Sequence, residues 1–242
     1  MTASHPIFPS YSLLDAEKEV AVSVIKYGDD KDQILEFYGD NNSEKRTLLL
    51  IHGGYWRELF DREHMRPLAV ALAKEGFNVV LPEFRRVAGA PETTLRDLSF
   101  VISTLKEIKL TLIGYSSGGH LALLLADKFA FTDQVIGLAP VTDMSESQRL
   151  ELGRNAVREW LGDSADNHPE LDPMLRPPIG AKTIFIQGVS DERVPINLTR
   201  NYVAEMAKHG HIIELVELAT VTHFEMMNIP SPTYDAIVAA LN

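Results

Sequence analysis

The stretch "LIGYSSGGHLALLLA", residues 112–126, decides the fold. Two adjacent serines stand between glycines, after one apolar run and before another. Gly114, Ser116 and Gly118 form the pattern G-x-S-x-G, which fails for Ser117 because the residue two places before it is not glycine. A strand before this pattern and a helix after it predict a sharp turn that holds the serine out as a nucleophile. The alternative is a glycine-rich turn without chemistry.

Strand and helix patterns alternate on both sides of this turn. Two early segments alternate polar and apolar residues, as half-buried antiparallel strands do, at 20–28 and 34–39. Five later strands read as continuous apolar runs, typical of a parallel sheet buried on both faces, at 47–54, 78–84, 109–115, 134–140 and 183–189, and a last strand is predicted at 211–218. Helices are predicted at 61–76, 91–108, 118–130, 197–210 and 232–242. We therefore expect an α/β fold with a mostly parallel central sheet flanked by helices.

One segment, residues 141–181, interrupts this alternation. It is polar and proline-rich, and it contains one predicted helix at 145–162. Insertions after a strand end of an α/β sheet lie where ligands bind. Trp160 and Leu161 are also large apolar residues that are expected to be buried against another surface of the protein. We expect a short lid-like insertion within a single domain spanning 1–242, the alternative being a surface excursion without a role.

Composition narrows the classes of function and partner. The chain has 242 residues, 45% of them hydrophobic, with a formal charge of −11 and no cysteine. The acidity argues against nucleic acid and anionic membranes as partners, and no apolar run is long enough to cross a bilayer. Residues 1–20 lack the pattern of a signal peptide, so a cytoplasmic location is expected. The oligomeric state stays open, a homodimer included.

The segment "IHGGYW", residues 51–56, predicts an oxyanion hole. A tetrahedral intermediate needs preorganised amide donors, one from the residue after the nucleophile and others from a glycine-rich loop after an earlier strand. We expect the amides of Gly54, Tyr55 and Ser117 to supply them. His52 is expected to brace the loop by hydrogen bonding rather than to act as a base. The histidines at 52–64 fit no helical metal-ligand pair, so no metal site is expected.

A serine nucleophile needs a histidine base and an acid that orients it. His223 follows the last predicted strand, at the edge of the sheet where the base is required. His168, His209 and His211 lie in the insertion or at a helix-to-strand turn. Asp191 follows another strand, so Ser116, Asp191 and His223 are expected to meet at one edge. Asp191 has an alternative role as the cap of the following helix.

The segments "HGGYW" and "GYSSGGHLA" resemble the α/β-hydrolase superfamily, and within it kynurenine formamidase (arylformamidase) and its small esterase relatives. The resemblance covers nearly the whole chain. It implies an α/β-hydrolase fold, an acyl-serine mechanism and no cofactor. Ser116 is then the nucleophile, His223 the general base and acid, and Asp191 its orienting group.

The resemblance also implies a small ester or amide substrate, N-formyl-kynurenine in the case of the formamidases. Its aromatic group needs an apolar cleft, for which Trp56, Tyr115, Trp160 and Phe224 are the candidates, with core or lid packing as the alternative for all four. Bulky residues in the oxyanion loop and a short insertion predict a narrow acyl pocket, which Trp56→Ala would widen. Two other functions stay open: a prolyl-oligopeptidase-type peptidase and a non-catalytic binding protein.

Overall fold

The computed structural model describes residues 23–40, 44–105 and 109–242. The predictions for residues 1–20, for the start of the strand at 20–28 and for the end of the helix at 91–108 fall partly or wholly outside these ranges.

Eight strands form one sheet in the order β1-β2-β4-β3-β5-β6-β7-β8. β1 pairs antiparallel with β2, and β2 antiparallel with β4, whereas all later pairs are parallel. Their bounds are Ser23–Lys26 (β1), Ile34–Tyr38 (β2), Thr47–Ile51 (β3), Asn78–Glu83 (β4), Leu110–Tyr115 (β5), Thr132–Leu138 (β6), Lys182–Gly188 (β7) and Ile213–Leu218 (β8). The predicted mostly parallel α/β sheet is confirmed.

Within the described ranges, seven α-helices connect or flank these strands. They are Arg66–Lys74 (α1), Pro91–Thr104 (α2), Ser117–Ala126 (α3), Met144–Arg149 (α4), Leu152–Leu161 (α5), Ile196–Lys208 (α6) and Pro232–Leu241 (α7). The predicted helix at 61–76 begins instead as a 3-10 turn, Arg62–Met65, before α1. Among the described residues, no helix is long and apolar enough to cross a membrane.

The sheet carries an apolar core on each face. On β3, Leu49 and Ile51 belong to one buried cluster, whereas Leu48 and Leu50 belong to the other. Successive side chains of a strand point to opposite faces, so a strand covered on both sides needs apolar residues at every position. This explains why the parallel strands read as continuous apolar runs in the sequence.

The insertion differs from its predicted form. The helix expected at 145–162 is divided into α4 and α5, because backbone near residue 151 leaves the right-handed helical region. Glu151, Gly153, Arg154 and Asn155 all have positive φ angles, between 52° and 62°. A Cβ atom on Gly153 would collide with the ring of Tyr55. The break therefore lets the oxyanion-loop segment pack against bare backbone of the insertion.

Candidate active site

Ser116 lies between the end of β5 and the start of α3, with φ 55° and ψ −119°. This conformation is unfavourable for a residue with a Cβ atom and persists only where the surrounding structure enforces it. The Ser116 amide donates to the Leu138 carbonyl at the end of β6 at 2.8 Å. The serine is thus fixed at the carboxyl edge of the sheet, where parallel-sheet proteins place their ligands.

Two glycines allow this turn to pack tightly. A Cβ atom on Gly114 would overlap the Gly118 carbonyl, and one on Gly118 would overlap the carbonyl of Ile51 at the end of β3. The first residue of the turn and the first turn of α3 therefore touch backbone to backbone. The G-x-S-x-G spacing follows from these contacts, which no larger residue permits.

Asp191 and His223 form a buried pair on the loops after β7 and β8. His223 Nδ1 lies 2.7 Å from Asp191 Oδ2, and the two residues are 4% and 6% exposed, respectively. The other carboxylate oxygen, Oδ1, accepts the amides of Arg193 and Val194, both at 2.8 Å. Asp191 therefore accepts amides of its own loop and also holds the imidazole. It does not cap the following helix α6, whose N-cap residue is Pro195 and has no side-chain cap hydrogen bond.

Tyr115 connects this pair to the serine turn. Its hydroxyl donates to the His223 carbonyl at 3.0 Å, and its ring stacks on the His223 ring with centroids 5.0 Å apart. Because Ser116 is the next residue, the three predicted triad residues share one edge of the sheet. Among the described residues, no further hydrogen bond reaches a ring nitrogen of His223 beyond that of Nδ1 with Asp191, so Nε2 has no protein partner there.

The predicted oxyanion loop also has an unusual backbone. Gly54, Tyr55 and Trp56 have φ angles of 121°, 58° and 55°. A Cβ atom on Gly53 would lie 3.1 Å from the Ser116 Cβ, so the loop runs directly beside the serine. Within the part of the chain that the structure describes, the amides of Gly54, Tyr55 and Ser117 donate to no protein acceptor. Amides in this state are available to a developing oxyanion.

Three consecutive residues of this loop contact the insertion. The Tyr55 ring covers the backbone of Gly153, and the Trp56 ring stacks on Trp160 at 5.1 Å. Arg57 forms a salt bridge with Glu159, from Nε at 2.8 Å. The insertion is therefore attached to the loop that would carry the oxyanion donors.

His120 fixes the inner side of this contact. Trp56 Nε1 donates to His120 Nδ1 at 3.2 Å, and the opposite nitrogen, Nε2, lies 2.8 Å from the Leu171 carbonyl of the insertion. The two bonds define a neutral imidazole that accepts at Nδ1 and donates at Nε2. Burial lowers the pKa of His120 to about 4, which agrees with this neutral state.

The predicted aromatic cleft needs correction. Tyr115 and Trp160 are 2% and 1% exposed, and Trp56 is buried between Trp160 and His120. These three rings have packing positions and do not line an open cleft at the serine, because each buries its large apolar area against another aromatic ring. Phe224 alone of the four is partly exposed beside the catalytic edge, with its ring 5.7 Å from that of His223.

A cleft of about 300 Å³ lies elsewhere, along residues 55–59 of the oxyanion loop and against Arg86, Glu159 and Trp160. None of the three triad residues lines it. It therefore marks a groove between the loop and the insertion rather than the place of reaction.

His52 engages both ring nitrogens in bonds that hold the loop. Nδ1 lies 2.8 Å from the Gly53 carbonyl, and Nε2 lies 3.2 Å from Glu83 and 3.1 Å from Arg86. Burial would raise the pKa of Glu83, but the charges and hydrogen bonds of His52 and Arg86 outweigh it and hold that pKa well below its usual range. The contacts are those expected of a brace.

Sequence reasoning did not single out Glu83, Arg86, His120 or Arg193. Glu83 and Arg86 stand at the end of β4, where an "E-x-x-R" spacing beside apolar residues was a usable signal. His120 stands in the stretch 112–126 itself, but nothing in the sequence shows that it faces Trp56. Among the described residues, no group of three metal-ligating side chains is assembled.

Comparison with known proteins identifies the same architecture. A family model described as "Alpha/beta hydrolase family" matches residues 48–232, a range that includes Ser116, Asp191 and His223. Esterase 2 of Thermogutta terrifontis, with propionate bound, is 20% identical and superimposes with a TM-score of 0.69 over 91% of this chain and 92% of that chain.

Two further solved structures share the architecture. Esterase B from Lactobacillus rhamnosis is 18% identical, with a TM-score of 0.73 over 93% of this chain and 86% of that chain. A putative thioesterase from a Silicibacter species is 20% identical, with a TM-score of 0.67 over 88% and 84%. At these identities the likeness establishes the fold.

Proposed function

Because the chain belongs to the alpha/beta hydrolase family, we propose that it is a serine hydrolase that cleaves small carboxylic esters or aryl formamides through an acyl-serine intermediate. One observation carries the proposal: the buried His223–Asp191 pair, 2.7 Å from nitrogen to oxygen, stands at the same sheet edge as the strained Ser116 turn. This arrangement supports the assignment of Ser116 as nucleophile, His223 as base and Asp191 as orienting acid for acyl transfer.

In the acylation step, Ser116 Oγ attacks the substrate carbonyl carbon while His223 Nε2 takes the hydroxyl proton. The carbonyl oxygen becomes an oxyanion that accepts hydrogen bonds from the amides of Gly54, Tyr55 and Ser117. Asp191 accepts a hydrogen bond from Nδ1–H of the imidazolium, without taking the proton, and stabilises its charge. Collapse of the intermediate breaks the bond to the leaving group, which receives the proton from His223.

Deacylation repeats the sequence with water. His223 takes a proton from the water molecule, whose oxygen attacks the acyl carbon, and the oxyanion forms again in the same place. Collapse releases the carboxylic acid and returns the proton to Ser116 Oγ. Every step uses side chains and amides of this chain alone.

The surroundings of the site favour a short acyl group. Tyr55 and Trp56 are bulky, and the insertion is fixed against both. The structures of the Thermogutta terrifontis esterase with propionate and with butyrate show that an enzyme of this fold takes acids of that length. We further propose that residues 141–181 form the roof of the site. Nothing in the described residues favours the peptidase alternative.

The partly exposed Phe224 ring supports an aromatic leaving group, since it lies beside the histidine that must protonate that group. This is the observation behind the aryl formamide class, with N-formyl-kynurenine as its test substrate. Formyl is the smallest acyl group and satisfies the same short-pocket argument.

The test compares kcat/KM for N-formyl-kynurenine with that for p-nitrophenyl acetate, butyrate and octanoate. We expect hydrolysis of the short esters, and labelling of Ser116 by a fluorophosphonate probe located by peptide mass spectrometry. Another hydrolase of this fold, the Thermogutta terrifontis esterase, is phosphonylated by sarin. A label on Ser117, or none on active protein, would contradict the acyl-serine assignment.

A further inference from the structure

Arg193 lies where the three catalytic segments meet. It follows Asp191 by two residues, and its guanidinium carbon lies 5.4 Å over the centre of the Phe224 ring, next to His223. It also reaches the oxyanion loop. Burial raises the pKa of Tyr55, and the charge of Arg193 and a hydrogen bond from it oppose that rise. The guanidinium therefore touches the acid loop, the base loop and the oxyanion loop together.

This cation has no counter-ion within residues 23–40, 44–105 and 109–242. Among the described residues no carboxylate lies within 4.0 Å of its nitrogens, and its Nε is buried without a hydrogen-bond partner. Asp191 does not serve, because Oδ1 accepts two amides and Oδ2 faces His223. By contrast, Arg200 on α6 pairs with Glu217 through two bonds of 2.8 and 2.6 Å.

A partly buried guanidinium without a carboxylate is costly unless something supplies the missing acceptor. Stacking on Phe224 covers one face of the planar group, and the N–H donors of a guanidinium lie in its plane. That arrangement is suited to a carboxylate, which accepts two parallel hydrogen bonds from a guanidinium.

The position of Arg193 indicates which part of a substrate carries this carboxylate. His223 must protonate the leaving group, so the leaving group lies beside His223 and the acyl group lies away from it. Arg193 stacks on the residue that follows His223. It therefore faces the leaving-group side of the site.

We propose that Arg193 is a specificity-determining residue that binds a carboxylate on the leaving group of the substrate. The preferred substrates are then anionic aryl esters or amides. This inference rests on the proposed hydrolase function for its turnover assay, although the binding of a free carboxylate by Arg193 is testable without turnover.

The first experiment compares 4-acetoxybenzoate with its methyl ester, which share the acyl group and the aromatic ring and differ in charge. Each kcat/KM is divided by the rate of alkaline hydrolysis of the same compound, which removes the difference in leaving-group reactivity. We expect the wild type to prefer the carboxylate. Arg193→Met should lower that preference by roughly 10- to 100-fold, the range of a hydrogen bond to a charged group, and Arg193→Lys should retain part of it.

Arg200→Met is the matched control, since it removes the same charge from an exposed position on α6. It should leave the preference unchanged. Arg193 is merely structural, and the proposal is overturned, if Arg193→Met lowers the rates for both substrates by the same factor. A wild type that prefers the methyl ester overturns it as well.

The second experiment measures binding of 4-hydroxybenzoate by titration calorimetry. Binding to the wild type that is lost in Arg193→Met and kept in Arg200→Met supports the carboxylate site, even when neither ester is hydrolysed. In that case the proposed hydrolase function fails and the anion site stands. Equal binding to wild type and Arg193→Met overturns the anion site whatever the esterase activity.

Discussion

In the part of the chain that the structure describes, two buried histidine–carboxylate pairs lie at the carboxyl ends of neighbouring parallel strands, and they differ in whether the histidine keeps a ring nitrogen without a protein partner. In the first, His223 meets Asp191 through Nδ1 alone. In the second, His52 Nδ1 faces the Gly53 carbonyl, and Nε2 lies within hydrogen-bond distance of both Glu83 and Arg86. Similar chemistry therefore gives one histidine with a nitrogen facing the reaction and one with none.

The two carboxylates also differ in their hydrogen-bond partners. Asp191 accepts two amides of its own loop and one imidazole, and it forms no contact with a guanidinium. Glu83 accepts from Arg62 and Arg86 as well as His52. A carboxylate within an ion network stabilises a loop, whereas one with a single imidazole orients a base. The comparison teaches that the remaining partners, rather than the pair itself, decide between catalysis and support.

The largest effect is expected at the nucleophile. Ser116→Ala should reduce kcat by roughly 10⁵- to 10⁶-fold, because the members of a triad act as a unit and the nucleophile is the member whose loss costs most. Ser117→Ala should cost far less, since its backbone amide remains. The measurement is p-nitrophenyl acetate hydrolysis by variants whose folding is verified by circular dichroism. If folded Ser116→Ala kept a near-wild-type kcat, the basis for assigning catalysis to the His223–Asp191 pair would be lost.

Isosteric substitution of the two carboxylates separates the pairs directly. Asp191→Asn keeps an oxygen for the two loop amides but offers His223 an N–H group, so kcat should fall by about 10⁴-fold with little change in stability. Glu83→Gln leaves Arg62 and Arg86 partly uncompensated, so the free energy of unfolding should fall by about 3 kcal/mol.

The readouts are kcat at a temperature where both variants are folded, and urea unfolding for stability. We expect Asp191→Asn to lose mainly kcat and Glu83→Gln to lose mainly stability. If Glu83→Gln lowered kcat more than Asp191→Asn did, and left unfolding unchanged, the roles assigned to the two pairs would be reversed.

A third buried histidine, His120, sharpens the comparison because it has no carboxylate partner. Its pKa of about 4 in the folded protein lies below the ordinary histidine value of 6.5, so the unfolded chain binds a proton that the folded chain rejects. Its contribution to stability is therefore full above pH 6.5 and is lost as the pH falls toward 4, by about 3 kcal/mol in total.

Urea unfolding at pH 7.5 and pH 4.5 measures this loss. His120→Gln should show a smaller decrease between the two pH values than the wild type. Trp160→Phe alters the same aromatic cluster without removing a titrating group, so it should keep the wild-type pH dependence. An unchanged pH dependence in His120→Gln would show that this imidazole is not held neutral by burial.

The smallest expected effect concerns the length of the acyl group that the site accepts. Activity on p-nitrophenyl acetate and butyrate should exceed that on octanoate by about 5- to 150-fold in kcat/KM, since a longer chain must displace packed side chains at about 1–3 kcal/mol. Trp56→Ala decides how the limit arises. The packed position of Trp56 predicts a fall for all chain lengths, whereas a wall of an open pocket would give a selective gain for octanoate.

The parts that the sequence predicted are those governed by local rules. G-x-S-x-G between a strand and a helix fixes Ser116, because backbone contact at Gly114 and Gly118 admits no side chain. Asp191 and His223 could be chosen because residues after parallel strands gather at one edge. Both arguments need only the order of elements along the chain and the period of their apolar residues.

The parts that escaped prediction depend on packing between distant segments. Trp160 and Tyr115 are aromatic residues near the site, but only the folded arrangement shows that they pack against Trp56 and His223 rather than against a substrate. The break in the helical backbone near residue 151 likewise depends on packing against the Tyr55 ring, which lies far away in the sequence. Arg193 has no local signal that its guanidinium stacks on Phe224 rather than pairing with an acid.

The attachment of Tyr55, Trp56 and Arg57 to the insertion has a consequence for motion. Tyr55 covers the Gly153 backbone, Trp56 stacks on Trp160, and Arg57 holds Glu159. If residues 141–181 swing away from the sheet, they must either break all three contacts or carry the oxyanion amides with them. Access for a large substrate and the geometry for catalysis would therefore oppose each other, and we expect the proposed hydrolase to turn over fastest on molecules small enough to enter while this assembly stays closed.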